Sequence, residues 1–151
     1  MEQAAVTSLF TLLGGIILFI LSQYFLKFHF EPMSDLRKII GQISKELVLY
    51  ANLYSNPIDD TKTNVPQHYK DASAQLRSTA SELVGAVQVI PWYRFWTFLK
   101  FIPPLKSIDE ARGCIISISN CMWGPNRTHY ATRNIEDSKT IIKELRIKAY
   151  K

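Results

Sequence analysis

The side chains of this 151-residue chain best suited to chemistry are three histidines, two cysteines and an adjacent pair of aspartates. Their spacing supports little catalysis. His29, His68 and His129 stand far apart, with no partner residue beside any of them. Cys114 and Cys121 lack the further Cys or His ligands at close spacing that a zinc site needs. On one helix, their seven-residue separation places them about 10 Å apart along the axis, too far for a disulfide. Asp59-Asp60 sits among turn formers and reads as a solvated turn rather than a calcium ligand set. No GK[ST] or GxGxxG phosphate loop is present, and no GxSxG turn. The expectation is a non-enzymatic chain with no metal and no cofactor.

Charge and aromatic rings offer more. Residues 31–90 carry six basic and seven acidic side chains, whereas residues 91–151 carry eleven basic and five acidic ones. A basic surface attracts anionic lipid headgroups, and it attracts nucleic acid by the same physics. Arg127, His129 and Arg133 are the candidate polyanion contacts. The bland alternative is a solvated face. Residues 91–104 hold six aromatic rings, and their charges, Arg94 and Lys100, are both positive. One reading folds this segment over the domain with its rings in the core. The favoured one lays Trp92, Tyr93, Arg94, Phe95, Trp96, Phe98, Lys100 and Phe101 in the membrane interface or against a second protomer, since Trp and Tyr suit headgroup depth and cations can reach lipid phosphates.

The elements that must position these residues begin with Ala5 to Leu26, a stretch without charge. As a helix it spans about 33 Å, matching the roughly 30 Å hydrocarbon core of a bilayer. Its apolar residues point to every side, so no face is left for water. A cleaved signal peptide is the rival, but the start is not basic, the apolar run is long, and bulky Phe25, Leu26, Phe28 and Phe30 occupy the place of a cleavage site. Lys27, Arg37 and Lys38 follow the span and no Lys or Arg precedes it, which puts the start outside and the rest in the cytoplasm. There the Asn126-Arg127-Thr128 sequon stays unused and the cysteines stay reduced. Gly14, Gly15 and Ser22 are small residues that allow a second span to approach closely.

After the span, Glu31-Pro32 predicts a break or bend, with Ser34 or Asp35 capping a second helix. Leu36, Ile39, Ile40, Ile43, Leu47, Tyr50 and Tyr54 form its apolar stripe, opposite Lys38, Gln42, Lys45 and Asn52. A polar loop covers Ser55 to Gln67. A third helix runs from about His68 to Ile90, with Leu76, Ala80, Leu83, Val84, Val87 and Ile90 inward and Gly85 allowing close packing. Ser107 and Glu110 have capping-box spacing ahead of Ile108, Ala111, Ile115, Ile118 and Met122, and Gly124-Pro125 ends that helix. Asn126 to Arg133 reads as loop. Asn134 caps a last helix with Ile135, Ile141, Ile142, Leu145 and Ala149 inward. Its basic C-terminal end, including Lys151, suits the helix dipole. The expected architecture is all-α: a transmembrane anchor over residues 1–30, then an antiparallel four-helix bundle over residues 31–151, with residues 91–104 inserted.

Leu49-Tyr50-Ala51-Asn52, Gln75 to Ser81, Val89-Ile90-Pro91 and Ile116 to Asn120 resemble a family of uncharacterised bacterial single-pass membrane proteins, which implies the inner membrane but no activity. In architecture the chain is also similar to the HEPN-like membrane accessory proteins of type VI-B CRISPR systems, which form a ring-shaped pore. HEPN-type ribonucleases pair an Arg with a His four to six residues later, whereas here Arg127 and His129 are separated by one residue. The leading expectation is a self-associating membrane-anchored scaffold or effector. Two others stand beside it: a membrane-tethered RNA-binding or HEPN-like nuclease domain, and a regulatory subunit of a larger membrane complex.

Overall fold

The computed structural model describes residues 2–61 and 64–148. Ala149 and Lys151 lie outside the described residues. The chain is all-helical, in the order α1 (Glu2–Phe25), a π-turn (Leu26–Phe30), α2 (Glu31–Leu49), α3 (Ala51–Ser55), α4 (Gln67–Gln88), α5 (Tyr93–Phe98), α6 (Leu105–Asn120) and α7 (Arg127–Glu144). No strand occurs among the described residues; one parallel bridge joins Ile58 to Trp123.

Val6 to Leu49 form one continuous helical run of 44 residues, about 66 Å long. The expected break at Glu31-Pro32 is absent. Pro32 carries no amide proton, and its ring crowds the carbonyl four residues back. A widened turn accommodates both: the Glu31 N–H donates to the Leu26 carbonyl, five residues away, and Pro32 follows directly after it, so the missing donor falls where the ladder is already shifted. Ser34 and Asp35 therefore cap nothing. Asp35 pairs with Lys38 at 2.8 Å instead, an exposed contact that raises the lysine pKa through its hydrogen bond and charge.

The apolar half of this run is long and apolar enough to cross a membrane, and none of its most apolar stretch is buried in the protein. The second half behaves otherwise. Leu36, Ile43 and Leu47 of α2 are buried and face α4; α4 packs on α6, α6 on α7, and α3 on α7. The stripe of α6 is buried throughout, from Ile108 to Met122. In α4, Leu76, Ala80, Leu83 and Val87 are buried as expected, and so are Tyr69, Ala72, Ser73 and Thr79. Gly85 is exposed and meets no neighbour, so it serves no close approach. Ile135 is exposed, whereas Ile141 and Leu145 are buried.

Polar ties fix the helices in register. Glu46, buried, accepts from Gln42 at 3.0 Å, Gln75 at 3.1 Å and Thr79 at 2.8 Å. Gln42 thus faces α4 rather than water. Neither expected cap of the last two helices forms. The Ser107 hydroxyl donates to Glu144 of α7, and α6 starts earlier, behind Pro104. Asn126, not Asn134, caps α7 by accepting the His129 N–H, so residues 127–133 are helix rather than loop. Asn134 is fully buried and donates to the carbonyls of Tyr54 and Cys121, both at 2.9 Å. The helix α6 ends at Asn120, ahead of Gly124. Gly124 has φ +143°, and a Cβ there would lie 2.4 Å from the Tyr130 ring. Its N–H donates to Ile58 at 2.8 Å, fastening the loop after α3.

Candidate membrane-facing site

The π-turn shifts the helical register by one residue and turns His29 toward the domain. His29 is 2% exposed. Its ring lies 5.2 Å from Phe25, 5.1 Å from Trp92 and 5.7 Å from Trp96, centre to centre. Phe30 and Trp96 are 5.9 Å apart, and Trp96 and Phe101 6.0 Å. Such spacings are those of attractive aromatic pairs. His29 thus packs between the base of the long helix and the aromatic segment.

The segment splits into an inward and an outward set of side chains, and Tyr93 and Trp96 belong to the buried one. Trp92 adopts a left-handed conformation with φ 51° and starts α5, a helix of six residues. Tyr93, Trp96 and Ile102 turn inward and are buried. The Tyr93 hydroxyl donates to the Pro103 carbonyl at 2.6 Å, and burial pushes its pKa up to about 12. Trp92, Phe95, Phe98, Leu99 and Phe101 face outward, with Phe98 81% exposed. Arg94 and Lys100 are exposed as well. Six residues cannot bury rings on all sides of a short helix against one neighbour, so the outward set has no protein cover. The outward rings begin at the level of His29 and end at the level of Arg37, whose guanidinium donates to the Phe101 carbonyl at 3.2 Å. That places the segment along the first turns beyond the apolar span.

The other candidates are dispersed. Gly14, Gly15 and Ser22 lie in α1 with open space around both glycines, and the Ser22 hydroxyl donates to the Leu18 carbonyl at 2.7 Å. Arg127 donates to the Pro57 carbonyl at 2.7 Å, which fixes a loop. Arg133 approaches Asp137 at 3.9 Å. His129 is exposed and contacts the Tyr130 ring. Cys114 and Cys121 are free thiols; burial, and then the charge of Asp137, push the Cys114 pKa up to about 11, the opposite of a reactive thiolate. No group of three metal-ligating side chains forms among the described residues. Sequence reasoning missed Glu46 and its three donors, because a single Glu on a polar face carries no signal of burial. No family model, no curated protein and no solved structure matches this chain.

Proposed function

We propose that this chain is a membrane-anchored helical scaffold or effector that self-associates and holds its domain against the bilayer at two places. The observation that carries the reading is the division of the Val6–Leu49 run: side chains from Val6 to Leu26 are exposed on every face, while the same helix continues into the core of the domain. A helix apolar all round is stable only in an apolar medium. The outward rings of residues 92–101 form the second contact, at the depth where aromatic side chains settle. Lys27, Arg37 and Lys38, which follow the span, support a cytoplasmic orientation for the domain, and the inner membrane of a bacterium is the setting we propose. We read α2, α4, α6 and α7 as an antiparallel four-helix bundle with residues 91–104 inserted between its second and third members. The sequential packing of these helices on one core supports that reading. Self-association is supported by Gly15 and Ser22, two turns apart on one exposed face of α1.

The test is extraction and mass measurement on the full chain. It should resist alkaline carbonate, keep its N-terminal segment, and run in nanodiscs as more than one protomer. A mature chain starting beyond residue 26 overturns the anchor in favour of a leader. A mass of one protomer at every concentration overturns self-association. The nuclease reading has less support, because Arg127 and His129 are separated by one residue and so lack the HEPN spacing.

A further inference from the structure

Four cations surround one cleft at the base of the domain. Arg37 of α2, Lys100 and Phe101 after α5, and Arg146 and Lys148 after α7 line a cavity of about 560 Å³. No carboxylate lines it. No ion pair among the described residues uses any of the four cations.

Two helix ends build the cleft, and they are built alike. Lys100 N–H donates to Thr97 at 2.9 Å and Phe101 N–H to Trp96 at 3.1 Å. Arg146 N–H donates to Lys143 at 3.2 Å and Ile147 N–H to Ile142 at 3.0 Å. Both are Schellman endings, in which the residue after the cap is left-handed and is usually Gly. Here those positions are Lys100, φ 63°, and Arg146, φ 55°. A side chain is disfavoured in that conformation, and such positions concentrate at functional sites. The Arg146 guanidinium reaches the Lys100 carbonyl at 3.4 Å, and that of Arg37 reaches the Phe101 carbonyl. A cation at a helix C-terminus offsets the dipole, which accounts for one charge at each end. It does not account for Arg37 and Lys148 converging on the same space.

The position of the cleft relative to the span narrows the ligand. Arg37 stands seven residues beyond Phe30 and eleven beyond Leu26, about 10–16 Å along the helix; the headgroup layer reaches roughly 5–8 Å beyond the hydrocarbon, so the long Arg and Lys side chains reach back to its phosphates from just outside it. Phe101, at the mouth, is half exposed and continues the row of outward rings. Phosphate is the anion that several Arg and Lys side chains hold best. We propose that this cleft binds the phosphate headgroup of an anionic phospholipid of the same bilayer, an inference that rests on the membrane-anchored reading above. Headgroup binding joins α2, the aromatic segment and the end of α7 at the membrane surface. It thereby fixes the tilt of the domain.

Titration of the full chain in a neutral detergent tests it. The probes are a short-chain phosphatidylglycerol, a phosphatidylcholine of equal chain length, inorganic phosphate and a single-stranded RNA oligonucleotide. Phosphatidylglycerol should bind saturably and about tenfold tighter than phosphatidylcholine. Lys100→Gln with Lys148→Gln, which leaves both arginine–carbonyl bonds in place, should weaken binding about tenfold. Lys139→Gln with Lys143→Gln, an equal loss of charge on α7, should leave it unchanged. Lys100→Gly separates ligand binding from packing: it should raise Tm by relieving the left-handed side chain and weaken phosphatidylglycerol binding. A higher Tm with unaltered binding overturns the proposal. So does equal affinity for the two lipids, or inorganic phosphate binding as tightly as phosphatidylglycerol, which marks a free-anion site. RNA binding that is tighter than lipid and lost in the lysine pair assigns the cleft to nucleic acid instead. Release of the chain by alkaline carbonate refutes the anchored reading itself, whereas a retained chain without lipid preference refutes the headgroup site alone.

Discussion

The two halves of the long N-terminal helix share a backbone and differ in everything around it. Leu18, in the first half, is 66% exposed; Leu36, in the second, is 0% exposed. In α1 the apolar residues surround the axis, and nothing in the protein covers them. In α2 they occupy one stripe, and α4 covers it. Backbone hydrogen bonding is satisfied in both cases, so the helix itself does not choose the surroundings. The angular distribution of side chains does: an all-round apolar cylinder needs lipid, and a striped one needs a protein partner. The π-turn is the joint where one regime gives way to the other without interrupting the helix.

The sharpest test of this contrast is a pair of identical substitutions. Leu36→Ala should lower the stability of the domain by about 3 kcal/mol, through lost burial and the cavity left behind. Leu18→Ala should change it by less than about 0.5 kcal/mol. Denaturant unfolding in detergent, followed by tryptophan fluorescence, measures both. Comparable losses would break the contrast and mean that α1 packs on the domain. Gly124→Ala comes next, at about 2 kcal/mol, because the new Cβ meets Tyr130 and the positive φ disfavours any side chain. That loss belongs to the domain half, so membrane retention of the variant should not change. A retention loss would show that anchoring depends on the fold.

A smaller loss than that of Gly124→Ala is expected in the aromatic segment beside the joint. Tyr93 is buried beneath the aromatic segment, and its pKa rises from 10.0 to about 12. The folded state therefore holds the phenol proton more tightly than the unfolded chain does. That stabilisation is complete below pH 10 and is lost as pH rises through about 12. Tyr93→Phe should cost about 1 kcal/mol at neutral pH, for the bond to Pro103. It should also remove the part of the alkaline decline that Tyr93 causes. An unchanged stability–pH curve between pH 9 and roughly pH 11 would mean that the ring is solvated, and that the segment stands away from the domain.

Much of the helical pattern was legible in the residues alone. The stripes of α4 and α6 repeat at three and four positions, and burial follows them closely from Leu76 to Val87 and from Ile108 to Met122. The helix ends were less legible, for a common reason. Ser107 and Asn134 are good capping residues, yet each was taken by a partner far away in sequence: Glu144 for one, the Tyr54 and Cys121 carbonyls for the other. A local signal cannot register competition from a distant acceptor. Pro32 misled differently, because a missing donor can be absorbed by a wider turn as well as by a break. At the candidate site, the aromatic composition marked residues 91–104, but which rings turn inward depended on His29, more than sixty residues earlier.

What the amino-acid sequence determined by itself was a helical chain with one uncharged stretch able to cross a bilayer, amphipathic helices behind it, and an excess of positive charge in the last sixty residues. These are properties of composition and period, carried by every short window of the chain. The tertiary structure decided where part of that charge gathers. It tied Arg127 and Arg133 to their own fold at one end of α7, and brought Arg37, Lys100, Arg146 and Lys148 from three separate segments to one cleft. Only packing joins residues 37, 100 and 146, so only the folded chain could show a site among them.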